Sequence, residues 1–178
     1  LKKLYFSMKK NIERDRYNYH YNTLEFKSLT QDNIINEEIN QKMLLLKDVK
    51  YSSDSVYLPL HYTPEATVDY WCDNPNDALY EESLMEFISR SSKKIQFIIK
   101  EHPAMFMKRN KSCYERLLKY NNVQLVHPYE NSNKLLNQVE NILVYTGSVG
   151  VEALLREKRV FSVTHNYYTG LHPNIKIV

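Results

Sequence analysis

The sequence predicts an α/β domain, a doubly wound parallel sheet of about five strands, preceded by a helical extension. Three observations predict it. From about residue 50 onward, short apolar runs alternate with segments of helical spacing. The runs are continuous rather than alternating in polarity, as strands buried on both faces are. The connections are short and each holds one helical stretch, the pattern of right-handed crossovers between parallel strands.

The elements follow in order. Before residue 50 the chain is polar and free of Gly and Pro. Leu1, Leu4, Tyr5, Met8 and Ile12 share a helical face within residues 1–20, and Ile35, Ile39, Met43 and Leu46 share another within 32–47. Residues 1–50 are therefore assigned to a helical extension or linker, and residues 51–178 to the α/β lobe. Strands are expected at Ser55–His61, Lys94–Lys100, Val123–Val126, Ile142–Tyr145 and Val160–Val163. Helices are expected at Asp77–Ser91, with Tyr80, Leu84, Phe87 and Ile88 inward, and at Ala104–Tyr120, with Phe106, Tyr114, Leu117 and Leu118 inward. Two more are expected at Ser132–Val139 and Val149–Arg156.

The bulk numbers narrow the function classes. With 178 residues, 43% hydrophobic and 25% charged, the chain is globular. No apolar run has the length of a membrane span, and Cys72 and Cys113 read as reduced structural thiols of a cytoplasmic protein. A formal charge of +3, with no dense basic stripe interleaved with aromatics, gives no reason to expect nucleic acid as a partner. Cys72 and Cys113 lack metal-ligand spacing, and there is no HExxH and no GxSxG elbow, so no metal and no hydrolase nucleophile is expected.

In a doubly wound sheet, ligands bind beyond the carboxyl ends of the strands, where the strand order reverses. Every polar cluster here falls just after an expected strand: His61, His102-Pro103, His127-Pro128, Thr146-Gly147-Ser148 and His165. The turn Thr146-Gly147-Ser148-Val149-Gly150-Val151-Glu152 reads in two ways. It can cradle a phosphate, with Gly147 and Gly150 allowing close backbone approach and Ser148 capping the helix. It can equally be an ordinary capped helix with Glu152 facing its dipole. Lys100-Glu101-His102-Pro103 offers a cation and an imidazole at a strand end, able to contact phosphate or assist a leaving group; the other reading is a histidine that caps the following helix. His61-Tyr62-Thr63-Pro64-Glu65 offers an imidazole and, in Glu65, a candidate acid/base or hydroxyl ligand; as a solvated loop it would need neither. Arg109 either adds charge to the site or lies on the solvated helix face. His127 is read as structural, and His20 and His172 receive no role.

Val56-Tyr57-Leu58-Pro59-Leu60-His61-Tyr62-Thr63-Pro64-Glu65-Ala66-Thr67, Ile99-Lys100-Glu101-His102-Pro103, Asn122-Val123 with Pro128, and Thr146-Gly147-Ser148-Val149-Gly150-Val151-Glu152-Ala153-Leu154 resemble, in order and spacing, the capsule polysaccharide biosynthesis proteins. These are bacterial glycosyltransferase-like proteins of the GT-B type, and the resemblance covers residues 50–170. It implies the Rossmann-like, C-terminal donor-binding lobe of a two-lobed enzyme. Related sialyl and Kdo transferases hold the CMP phosphate with a His-Pro motif and a Ser/Thr motif. By that likeness His102 contacts the donor phosphate and Ser148, with Thr146, binds it. The turn is also similar to that of UDP-N-acetylglucosamine 2-epimerase, where a following Glu binds ribose; Glu152 would inherit that role. The chain departs from these patterns in having one Ser rather than a pair, and in lacking the lobe that supplies the acceptor site. A fragment or truncated product, poorly active alone, is therefore expected.

The resemblance implies a nucleotide sugar, CMP- or UDP-linked, as donor, with no other cofactor. It implies a polysaccharide or lipid-linked acceptor, and capsule-assembly proteins at the inner face of the membrane as partners. The alternatives are a sugar-nucleotide epimerase, a CDP-polyol phosphotransferase, and a non-catalytic assembly module.

Overall fold

The computed structural model describes residues 38–62, 80–105 and 109–178. Six parallel strands form one sheet: β1 (Ser55–Pro59), β2 (Gln96–Lys100), β3 (Val123–Val126), β4 (Asn141–Val144), β5 (Arg159–Ser162) and β6 (Ile175–Ile177), in the order β3-β2-β1-β4-β5-β6. Between the strands lie the helices α1 (Tyr80–Arg90), α2 (Lys111–Leu117), α3 (Ser132–Gln138) and α4 (Val149–Leu154).

The helices divide by face. Leu84, Met85 and Ile88 of α1 and Tyr114 and Leu117 of α2 pack with Leu58, Phe97, Ile99, Leu125 and Leu143. Leu135 and Leu136 of α3 and Ala153 and Leu154 of α4 pack with Tyr57, Ile98, Val126, Ile142, Val144 and Val160 on the opposite face. Successive residues of a strand point to opposite faces, so Ile98 and Ile99 serve different cores. The chain thus winds outward from β1 to β3 with helices on one face, then returns to β4 and winds the other way with helices on the other. This is a Rossmann-like doubly wound fold, as expected.

The strand order reverses between β1 and β4, and the pairing there is short. β1 pairs β2 along its whole length, from Ser55 with Gln96 to Pro59 with Lys100. It pairs β4 only at Val56 with Asn141 and Tyr57 with Ile142. The Asn141 carboxamide donates to the Ser53 and Ser55 carbonyls and fastens the entry end of that pair. Beyond Tyr57 no further register pair joins the two strands, and their carboxyl ends mark the switch point.

Three expectations change. The sheet has a sixth strand, β6, paired to β5 from Val160 with Ile175 to Ser162 with Ile177. The helix expected over Ala104–Tyr120 divides: a short 3-10 turn at Pro103–Met105 is followed by α2, which starts where the Asn110 side chain accepts from the Ser112 amide. Asn is a strong helix cap, so a new helix begins there. Of the face expected over 32–47, the described residues are helical at 38–42 and form a 3-10 turn at Leu46–Asp48; between them Leu44 pairs alongside Val126 as an extra bridge on the β3 edge. Ile39 and Met43 of that segment are buried with the first core and Val49 with the second. Residues 1–20, Ile35, Phe106 and the loop carrying Glu65 lie outside the described residues.

Candidate functional site

The candidate site is built around the ends of β1 and β4, at the switch point. His61, just past β1, is buried and stands edge-on to Tyr80 and Tyr145, with ring centroids 5.6 and 6.2 Å away. Its Nε2 accepts from the Thr146 amide at 3.4 Å. A Cβ at Gly147 would lie 3.3 Å from His61 Cε1, so a side chain there would crowd the imidazole. A Cβ at Gly150 would lie 2.3 Å from the Tyr168 hydroxyl. Among the described residues only Gly170 of the glycines has positive φ. Gly147 and Gly150 therefore serve close approach, as expected, but the described groups that approach them are the chain's own His61 and Tyr168.

Ser148 corrects one expectation. It precedes α4, but at φ −58° and ψ −20° its backbone is already helical and its side chain makes no cap hydrogen bond. A capping side chain needs an extended backbone to fold back over the first amides. Ser148 is instead exposed. The six-residue α4 is also too short for its dipole to carry an anion site by itself.

Thr146 is buried, and its Oγ1 has no hydrogen-bond partner among the described residues. An unpaired buried hydroxyl costs on the order of 1–3 kcal/mol. Thr146 lines a cavity of about 320 Å³ with His165, Asn166 and Tyr167. The loop after β5 shapes that cavity. The Asn166 carboxamide donates to the Tyr145 carbonyl and to Ser162 Oγ, and its oxygen accepts from the Tyr168 and Thr169 amides. Tyr167 is left 63% exposed at the rim. His165 was legible as a strand-end group. Asn166 and Tyr167 were not singled out, although Asn ahead of Tyr-Tyr-Thr-Gly is itself a turn signal.

His102 follows β2, so β1 and His61 stand between it and the Thr146–Ser148 turn. The two motifs are on one edge of the sheet but not on adjacent strands, and His102 is not among the residues lining the cavity. Its Nδ1 accepts from the Ala104 amide at 3.1 Å, which is the capping reading. That bond puts the neutral imidazole's proton on Nε2. The ring meets Tyr62 edge-on at 5.9 Å. The same turn recurs twice. His127 Nδ1 accepts from the Tyr129 amide and His172 Nδ1 from the Asn174 amide, and each of the three histidines precedes a proline. The His-Pro pair is thus a local turn device in this chain, with the imidazole replacing the usual Asx oxygen.

Lys100, at the end of β2, is buried, and burial pushes its ammonium below the ordinary lysine range against the opposing pull of Glu101 and Glu130. Glu152 is half-buried near Tyr57. Arg109 takes neither expected position: it is enclosed, with its side chain 1% exposed, against the fully buried Glu101. Its Nε donates to Glu101 Oε2 at 2.6 Å and its NH2 to Oε1 at 3.2 Å. Glu101 lay inside a motif singled out in the sequence without receiving a role. Among the described residues no helix is long and apolar enough to cross a membrane.

The chain matches the family model described as "Capsule polysaccharide biosynthesis protein" over residues 10–171. No curated protein sequence matches it significantly. Among solved structures it is similar to Thermosulfurimonas dismutans KpsC, beta Kdo 2,7 transferase, at 18% identity and a TM-score of 0.54, covering 82% of this chain and 47% of that one. The structure of the beta Kdo 2,4 transferase of the same KpsC matches with the same values. UDP-GlcNAc 2-epimerase from Methanocaldococcus jannaschii matches at 17% identity and a TM-score of 0.50, covering 83% of this chain and 39% of that one. At these identities the likeness is one of fold, and the chain spans about half the length of the KpsC chains.

Proposed function

The chain belongs to the capsule polysaccharide biosynthesis protein family, and from that premise we propose that this domain holds the nucleotide-sugar donor for glycosyl transfer onto a surface polysaccharide or its lipid-linked precursor. The observation that carries the reading is the Thr146 hydroxyl, buried at the switch point and unpaired among the described residues, with Ser148 exposed two residues on. A ligand oxygen brought to that hydroxyl would supply the missing partner.

In this reading the donor phosphate lies against the Thr146–Ser148 turn, where hydroxyls and amides can meet its oxygens. Lys100 contributes positive charge from β2. His102 presents Nε2–H toward the departing nucleotide phosphate, stabilising charge as the glycosidic bond breaks. Glu152 takes the ribose, and Glu65 is the candidate acid/base toward the acceptor. The reading implies a cytoplasmic protein working at the inner face of the membrane.

The test is calorimetric titration of CMP, CDP and UDP into wild type and Thr146→Val. Valine keeps the shape and removes the hydroxyl. At least one nucleotide should bind wild type, and the variant should bind about tenfold more weakly, near 1.4 kcal/mol. Its unfolding free energy should be equal or higher, because an unpaired buried hydroxyl is removed. Failure of all three nucleotides to bind overturns the reading. UDP binding together with inversion at C2 of a UDP-N-acetylhexosamine would replace transfer by epimerisation, the chemistry named for the archaeal structure of the same fold.

A further inference from the structure

Behind the candidate site lies a buried ion pair that touches the backbone of two strand-end histidines, His61 and His102. Glu101 Oε1 accepts the amide of His102 at 2.6 Å. Arg109 NH2 donates to the carbonyl of His61. The two side chains are joined by Arg109 Nε to Glu101 Oε2 at 2.6 Å and NH2 to Oε1 at 3.2 Å. Tyr114 of α2 donates its hydroxyl to Glu101 Oε2 at 2.7 Å, and Glu81 of α1 accepts from Arg109 NH1 at 3.0 Å. The Tyr80 ring, which flanks His61, also lies 5.9 Å under the guanidinium.

A buried ion pair is a poor way to gain stability, since desolvation consumes most of the attraction and apolar residues of like volume serve as well. What a guanidinium and a carboxylate offer instead is geometry. Their fork fixes several oxygens and amides at once, in set directions. Here the fixed groups include the main chain of His61 and of His102, on neighbouring strands.

We propose that Glu101 and Arg109 are positioning residues, setting the backbone of His61 at the end of β1 and of His102 at the end of β2, so that the His102 imidazole is held for ligand and the His61 imidazole is held against the Thr146 amide of the turn. The inference rests on the donor-binding reading above, with neither residue touching the donor itself.

The test uses Glu101→Gln and Arg109→Lys. A glutamine has one oxygen: it can accept from the His102 amide or from Arg109 and Tyr114, but it would turn an N–H toward the other. A lysine ammonium cannot span Glu101, Glu81 and the His61 carbonyl together. Amide hydrogen exchange and the ring ¹H–¹⁵N resonances of His61 and His102 are measured by NMR, with Ile98 and Ile99 in the middle of β2 as internal references. E101Q should speed His102 amide exchange about tenfold relative to the references, and R109K should shift the His61 ring signals. Where wild type binds a nucleotide, each variant should bind that nucleotide about tenfold more weakly.

A uniform loss of protection, equal at Ile98 and His102, would make the pair a stability element only and overturn the proposal. So would failure of both variants to fold, unchanged histidine signals, or unchanged nucleotide affinity in a binding-competent protein. If wild type binds no nucleotide, the donor reading fails by itself, and the exchange pattern alone decides whether the pair sets the two histidines.

Discussion

The Tyr168 ring fills the space that a side chain at Gly150 would need, and its hydroxyl donates to the Gly147 carbonyl at 2.8 Å. One tyrosine from the loop after β5 thus shapes both glycine positions of the turn after β4. Gly150→Ala should force the ring aside, because its Cβ would stand 2.3 Å from the hydroxyl and 2.7 Å from Cζ. Overpacking of this kind costs about 1–3 kcal/mol. Tyr168→Phe, which removes only the hydrogen bond, should cost about 0.5–1.5 kcal/mol. Urea denaturation of both variants checks the order. An alanine variant as stable as wild type would mean that the loop after β5 moves freely.

The three His-Pro turns give a comparison internal to the chain. His102, His127 and His172 each accept an amide two residues ahead through Nδ1. Replacing any one with alanine should cost about 0.5–1.5 kcal/mol of stability, the worth of one such bond. Only the His102 change should also weaken nucleotide binding. His102→Asn is the sharper variant, because asparagine can make the same turn with its side-chain oxygen while lacking the imidazole. It should restore stability without restoring affinity, read by denaturation and calorimetry together. An asparagine variant that binds nucleotide like wild type would leave His102 as a turn residue alone.

These turns also show where the sequence was readable. The five expected strands lie where Ile98-Ile99, Leu125-Val126 and Ile142-Leu143 run apolar without interruption, because strands covered on both faces need no polar alternation. β6 escaped because Ile175-Lys176-Ile177 is a three-residue edge strand, too short and too mixed to stand out. The division of the second long helix was written in Asn110, whose capping role outweighs a helical periodicity that continues past it. At the candidate site, residue types and strand ends pointed to the carboxyl edge of the sheet, where His61, His102 and Thr146 stand. Side-chain partnerships did not follow, since they depend on which strands become neighbours. The insertion of β1 between His102 and Ser148 is set by the sheet order, and the contacts of Arg109 with Glu81 of α1 and the His61 carbonyl join segments distant in sequence.

Alkaline pH should unfold the domain through its buried phenols and thiol. Burial pushes the Cys113 thiol from its ordinary 9.0 to about 12, and the Tyr57 phenol from 10.0 to about 12, the latter helped by the Glu152 charge and opposed by a Ser132 hydrogen bond. Tyr80, Tyr114 and Tyr168 are raised as well, burial being the largest cause in each. Above pH 9 the unfolded chain releases protons that the folded chain keeps, so the folded state binds more protons and stability falls as pH rises. The contribution is fully present below pH 9 and is lost from there through pH 12. Urea midpoints measured from pH 8 to 11 should fall, and Tyr57→Phe should make the fall above pH 10 shallower. A flat profile would mean that these groups are not enclosed as described.

Lys100 runs the other way, and this separates a ligand-binding lysine from a structural one. Burial depresses its pKa below the ordinary 10.5 despite the attraction of Glu101 and Glu130. Between the lowered value and 10.5 the unfolded chain binds more protons than the folded one, so this single group favours folding as pH rises through that window. It is one group against the five that lose stability over the alkaline range, and it softens rather than reverses their effect. At pH 7 the same shift means that enclosing the ammonium costs stability. Lys100→Met keeps the stem and removes the charge, so the variant should be as stable as wild type or more so. If Lys100 faces the donor phosphate, affinity for the bound nucleotide should drop about tenfold or more, roughly 1.4 kcal/mol or above. The loss should shrink as salt is raised, because a charge contact is screened. A methionine variant that is destabilised and still binds nucleotide normally would assign Lys100 to the fold instead.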